Sequence, residues 1–134
     1  MNSFDFIPLT GIGNVVFGEN RENVRNKLGA FQEFRKSRIS KNTTDDFGFC
    51  HVYYDLENKC EAVEFTASES AITWNGHNIS SFNYCTLEKL AAEYDDEIVI
   101  DDSGFTSKKI QMGVYSPDKK VVESILLSRD GYYE

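Results

Sequence analysis

The dipeptide Asn75-Gly76, set between Ile72-Thr73-Trp74 and His77-Asn78-Ile79, constrains the fold more than any other feature of the chain. A two-residue hairpin turn needs positive φ at both central positions, and Asn-Gly tolerates that best, so the flanking runs fold back on each other. A second hairpin follows from Phe49–Tyr54 and Lys59–Thr66, which flank the polar loop Asp55-Leu56-Glu57-Asn58. In its return strand Val63 and Phe65 share one face with Glu61, while Cys60 and Ala62 share the other. Two helices punctuate these strands. Asn20 caps a helix over Arg21–Leu28, ended by Gly29, with Val24 and Leu28 as its buried stripe. Thr86 predicts a cap for a second helix over Leu87–Tyr94, buried through Leu87, Leu90 and Ala91.

Shorter signals complete the pattern. Val15-Val16-Phe17, Phe31–Lys36 and Ile98–Ile100 read as strands, as does the alternation Ile110, Met112, Val114. Val121–Ser128 follows a turn at Ser116-Pro117-Asp118-Lys119, and Tyr132-Tyr133 forms a short aromatic tail. Gly11-Ile12-Gly13 reads as a backbone turn ahead of the first strand, and Ser37–Thr44 as a loop. The expected fold is α+β: an antiparallel β-sheet of hairpins, about six or more strands, with two short helices on one face. A chain of 134 residues makes one domain, 1–134, with one core.

The halves 1–67 and 68–134 also read as a tandem helix-plus-hairpin repeat. At a shift of 62, Leu28 falls on Leu90, Val52-Tyr53 on Val114-Tyr115, and Glu61-Ala62-Val63 on Glu123-Ser124-Ile125. Asp45-Asp46-Phe47-Gly48-Phe49 matches Asp101-Asp102-Ser103-Gly104-Phe105 at a shift of 56, which asks for six more loop residues in the first half.

Net charge is −8, and aromatic residues reach 13%, too many for a disordered acidic tail. The charge is uneven: residues 1–67 carry 8 basic and 10 acidic groups, residues 68–134 carry 6 and 12. Such a field repels phosphate backbones, which argues against direct nucleic-acid binding, and it speeds encounter with a cationic protein. Met1–Thr10 has neither a basic start nor a long apolar run, and no stretch reaches the roughly 20 apolar residues of a membrane span. Three cysteines (Cys50, Cys60, Cys85) in a chain this long are read as reduced thiols, hence a cytoplasmic protein.

Residues with catalytic or metal-binding chemistry are sparse. The two histidines, His51 and His77, would form an acid/base pair only if the fold joined them, as in some metal-free ribonucleases. Cys50, His51, Cys60, His77 and Cys85 contain no Cys-x2-Cys or His-x3-5-His spacing, so no metal is expected. No glycine pattern matches a phosphate-binding loop and no serine lies in a nucleophile elbow, so neither cofactor nor enzymatic activity is expected. What stands out is Glu93–Asp102, with six carboxylates (Glu93, Asp95, Asp96, Glu97, Asp101, Asp102) in ten residues, interrupted by Tyr94 and Ile98-Val99-Ile100. Charge runs are commonly solvated loops. Here Asp95-Asp96 follows a helix end, where negative charge does not help the helix dipole, which favours retention for a partner. A calcium loop would need a 12-residue ligand pattern with a central glycine, which is absent.

Gly11-Ile12-Gly13-Asn14-Val15-Val16-Phe17-Gly18, then Arg21-Glu22-Asn23-Val24-Arg25-Asn26-Lys27-Leu28-Gly29, resembles the opening of small bacterial immunity proteins of the contact-dependent growth inhibition type. Val52-Tyr53-Tyr54-Asp55 through Cys60-Glu61-Ala62-Val63-Glu64-Phe65 continues the similarity, which covers about the first half of the chain. The resemblance implies a cytosolic, acidic, catalytically silent protein that binds and neutralises one cognate toxin domain, often a nuclease. Its matching motifs are structural, so no binding residue carries over. The residues themselves nominate Glu93, Tyr94, Asp95, Asp96, Glu97, Asp101 and Asp102 with Trp74 as the partner-binding surface for a basic toxin domain, engaged by a monomer. Two rivals come from other classes: a chaperone or adaptor for a secreted effector, and a small metal-free ribonuclease or hydrolase using His51 and His77.

Overall fold

A computed structural model describes residues 2–134. Sixteen short elements follow one another: β1 (Asn2–Ile7), β2 (Gly11–Ile12), β3 (Val15–Val16), α1 (Arg21–Leu28), β4 (Gln32–Phe34), β5 (Thr44–Asp46), β6 (Cys50–Tyr54), β7 (Cys60–Thr66), β8 (Ser70–Trp74), β9 (His77–Asn78), a 3-10 turn (Ile79–Ser81), α2 (Tyr84–Tyr94), β10 (Val99–Asp101), β11 (Gly104–Ser107), β12 (Met112–Tyr115) and β13 (Ser124–Ser128). They build two sheets. The large one is antiparallel with eight strands in the order β10-β11-β12-β13-β7-β6-β5-β4, and the small one is mixed, β3-β2-β1-β8-β9. The fold is therefore α+β.

Local chemistry accounts for most boundaries. Asn75 and Gly76 have φ of 50° and 81°, the left-handed pair that the β8–β9 hairpin requires. Asn20 caps α1 by accepting the Asn23 N–H at 2.9 Å. The cap of α2 is Asn83, which accepts the Thr86 N–H at 2.9 Å, so this helix starts at Tyr84 and not after Thr86. Asparagine at this position serves as well as threonine, and the earlier start lets Tyr84 be buried. Gly11-Ile12 is a strand rather than a turn, because β1 supplies a partner: Phe6 pairs with Ile12 and Ile7 with Gly11. The parallel pairing of β1 with β8 (Phe4 with Ile72, Asp5 with Thr73) departs from an all-antiparallel plan.

The pairing scheme of the large sheet repeats. Between β6 and β7 the partners are Cys50–Phe65, His51–Glu64, Val52–Val63 and Tyr53–Ala62. Between β12 and β13 they are Met112–Leu127, Gly113–Leu126, Val114–Ile125 and Tyr115–Ser124, each 62 positions further on. At the sheet centre Glu64 pairs with Leu126, its own counterpart, so the two four-strand units meet about that pair. Each helix is tied to its unit in the same way: the Arg21 N–H donates to Asn58 O at 2.9 Å and the Tyr84 N–H to Lys120 O at 3.0 Å. The match of Asp45-Asp46 with Asp101-Asp102 does not survive. Asp45 pairs with Val52 and Phe105 with Val114, so the structural counterpart of Asp45 is Phe105. The sequence likeness reflects shared turn chemistry, since Asp46 and Asp101 each accept an N–H two residues ahead, at 2.8 Å from Gly48 and 2.8 Å from Ser103.

Directly opposed residues of neighbouring strands point to the same side. The inner side of the large sheet carries Val52, Val63, Phe65, Phe105, Met112, Val114, Ile125 and Leu127, all buried. Against it lie the small sheet, through Phe4 with its ring centroid 5.2 Å from that of Phe65, and both helices, through Val24, Tyr84, Leu87 and Ala91. Among the described residues no helix covers the outer side. It is covered in part by the C-terminal tail, where the Tyr133 N–H donates to Gln111 Oε1 at 3.0 Å. Among the described residues no helix is long and apolar enough to cross a membrane.

Candidate functional site: an acidic edge and an outer-face cavity

The acidic segment divides on folding. Trp74 is 2% exposed, packed between Phe6 and Tyr94, so it is core and offers no contact area to a partner. Alternation along β8 puts it beside Ile72 on the buried face, and that corrects its nomination. Asp95 is 5% exposed and also leaves the surface set. Its carboxylate accepts the Ser107 hydroxyl at 2.6 Å and the Glu97 N–H at 2.9 Å. The Ser107 hydrogen bond holds it below the ordinary carboxylate range, against the upward push of burial. Asp95 thus fastens the end of α2 to β11.

Glu93, Tyr94, Asp96, Glu97, Asp101 and Asp102 are exposed. Between them runs β10, the last strand of the large sheet, paired among the described residues only with β11. Its residues Val99 and Ile100 are 57% and 53% exposed. The sequence showed Ile98–Ile100 as a strand; that two of its apolar side chains face solvent follows only from its place at the sheet edge. Charges on both flanks of a short apolar strand were the available signal, because edge strands are commonly guarded in that way.

His51 and His77 are not brought together. His51 stands on the outer side of the large sheet, its ring 5.2 Å from that of Phe34 and its Nε2 3.5 Å from Asp46 Oδ1. His77 lies on β9 of the small sheet, near Phe82, on the opposite side of the large sheet. Among the described residues no three His, Cys, Asp or Glu side chains gather to hold a metal ion. Cys50 and Cys60 are buried free thiols, their pKa pushed up to about 12 chiefly by burial, whereas Cys85 is exposed.

Two further constellations were hidden from sequence reading because their members are far apart in the chain. Asp45, 0% exposed, accepts Arg21 Nε at 3.3 Å and Nη2 at 2.9 Å, Arg25 Nε at 2.7 Å and Nη2 at 2.9 Å, and the Tyr54 hydroxyl at 3.0 Å. Burial pushes this carboxyl up, but the hydrogen bonds from Arg25, Arg21 and Tyr54 outweigh it and leave the group below its ordinary value. The cluster pins α1 to the inner side of the sheet. On the outer side, His51, Glu64, Thr66, Tyr115, Glu123 and Ser124 line an open cavity of about 350 Å³. Glu64 there accepts the Tyr53 hydroxyl at 2.5 Å, and Lys36 Nζ donates to the same hydroxyl at 3.0 Å.

No protein-family model matches the chain, and comparison with curated proteins and with solved structures returned no match.

Proposed function

We propose that this chain is an immunity protein of the cytoplasm, a monomer that binds a cognate basic toxin domain and neutralises it stoichiometrically. The nuclease class suits a partner that is itself basic, since its substrate is a polyanion. The observation that carries the reading is the β10 edge: exposed Val99, Ile100 and Tyr94 framed by exposed Glu93, Asp96, Glu97, Asp101 and Asp102. An apolar centre within a charged rim is the usual anatomy of a protein–protein contact. Carboxylates at such a rim attract lysines and arginines that would otherwise hold phosphates, and a close pair desolvated in the complex contributes on the order of 1.5–7 kcal/mol of coupling. The separation of His51 from His77 speaks against an acid/base pair made of these two histidines.

The test is genetic and direct. The reading frames encoded beside this chain are cloned, and any terminal domain that arrests growth on expression is expressed with and without it. Restored growth and a one-to-one complex support the proposal; continued killing with no complex refutes it. A second reading, a chaperone or adaptor for a secreted effector, is favoured by one feature, the unpaired side of β10, which suits addition of an extended segment. Salt separates the two. Rim charges make association steeply salt-dependent, while strand addition leaves it nearly flat.

A further inference from the structure

The two units place a tyrosine at the same position of the outer face: Tyr53 opposite Ala62, and Tyr115 opposite Ser124. Their surroundings differ. In the first unit Lys36 Nζ lies 4.6 Å from the centre of the Tyr53 ring, while the ring's hydroxyl donates to Glu64. The molecule thus holds a cation at the hydroxyl end of a tyrosine backed by a carboxylate. In the second unit Tyr115 is 48% exposed, and among the described residues no lysine or arginine lies over it. It forms one wall of the cavity that also holds Glu123 and the other side of Glu64, whose Oε2 makes only a 3.5 Å contact with the Ser124 hydroxyl.

We propose that this cavity receives an arginine side chain of a basic protein partner, stacked on Tyr115 and paired with Glu64 and Glu123. This rests on the reading of a basic toxin partner above. Both remaining elements of the chemistry are present: an aromatic face attracts a planar cation, and two carboxylates suit a guanidinium fork better than a compact ammonium. The cavity, about 350 Å³, is wide enough for one such group. The surface would give the partner a second point of attachment, on the outer sheet face, besides the β10 edge.

The experiment needs no toxin. The isotope-labelled protein is titrated with N-acetyl-arginine methylamide to tens of millimolar and followed by amide NMR, with the uncharged citrulline analogue and the lysine analogue as controls. The expected result is shifts concentrated at Glu64, Thr66, Tyr115 and Ser124, absent with citrulline and weaker with lysine. Tyr115→Leu and Glu123→Gln, both at exposed positions, should each weaken binding about three- to tenfold with unchanged thermal unfolding. Shifts centred on residues 96–102, equal shifts with citrulline, or indifference to both substitutions would overturn the assignment. Those outcomes leave toxin neutralisation through the β10 edge standing, whereas failure of neutralisation with a localised arginine response would sink only the immunity reading.

Discussion

Replacing Asp45 by asparagine tests what holds the first unit together. The substitution keeps the volume but removes the charge, and it turns an amide N–H toward guanidinium donors. Asp45 is 0% exposed and Arg21 7%, so the loss leaves the buried Arg21 guanidinium with only the longer 3.9 Å contact to Glu33 as counter-charge. Five hydrogen bonds now end on this carboxylate, at 2.7 to 3.3 Å. Breaking a buried pair from one side costs about 3–5 kcal/mol. At roughly 3–4 °C per kcal/mol for a domain of this size, Tm should fall by about 9–20 °C. The assay is urea unfolding followed by fluorescence of Trp74, the only tryptophan, which is buried and so changes environment on unfolding. A loss below about 1 kcal/mol would refute the claim that the cluster is an essential tie. The second unit supplies the control: Tyr84 stands where α1 has Arg21, and Phe105 where β5 has Asp45, with ring centroids 5.9 Å apart. The double variant Arg21→Tyr/Asp45→Phe should therefore recover more than half of the stability lost by Asp45→Asn, since an apolar pair replaces the buried Arg21–Asp45 ions while the partly exposed Arg25 keeps Glu33 at 3.0 Å. A double variant less stable than the single one would refute the equivalence of the two units at that layer.

Acid should unfold the protein through a few identified carboxylates. Asp45, Asp55 and Asp95 sit below their ordinary values in the folded state, so each adds stability above pH about 4 that disappears as pH falls through its depressed value. Glu61, raised by burial, acts in the opposite sense, destabilising above its unfolded pKa. The urea midpoint should hold between pH 7 and 5 and drop below pH 4; a midpoint unchanged to pH 2.5 would contradict these assignments. Reversing Asp96, Asp101 and Asp102 to lysine should slow association with the proposed toxin partner about tenfold at low salt and flatten its salt dependence, read by stopped flow. Asp95→Ala instead should cost about 1–3 kcal/mol of stability because the Ser107 hydroxyl and the Glu97 N–H lose their acceptor, while Asp96→Ala leaves stability unchanged. In the native protein Cys85 alone should react with a thiol reagent at pH 8, and Cys50 and Cys60 only after unfolding; rapid reaction of three thiols would show that the β6–β7 hairpin opens freely.

What the sequence disclosed and what it hid divide along a physical line. Features written within a few residues were legible: the Asn75-Gly76 hairpin, the Asn20 cap of α1, and the β6–β7 pair with Val63 and Phe65 turned inward. Each depends on backbone preferences or on alternation, which need no distant partner. The start of α2 was missed by three residues because two adequate caps, Asn83 and Thr86, lie three apart. Long-range pairing was not legible. β1 becomes a strand because β8 and β2 lie beside it, and the acidic segment divides because β11 brings Ser107 to Asp95. Six carboxylates in a row look equivalent in sequence; folding commits one of them to the interior and leaves five to the solvent. The same separation governs the outer face. Glu64, Tyr115 and Glu123 converge because β7 and β13 pair antiparallel at the sheet centre, a pairing that residue spacing does not specify. Charge in this chain therefore works in two ways, set by burial. Inside it fixes α1 and α2 to the sheet, and outside it stands beside exposed apolar or aromatic groups, the arrangement that suits a cationic partner.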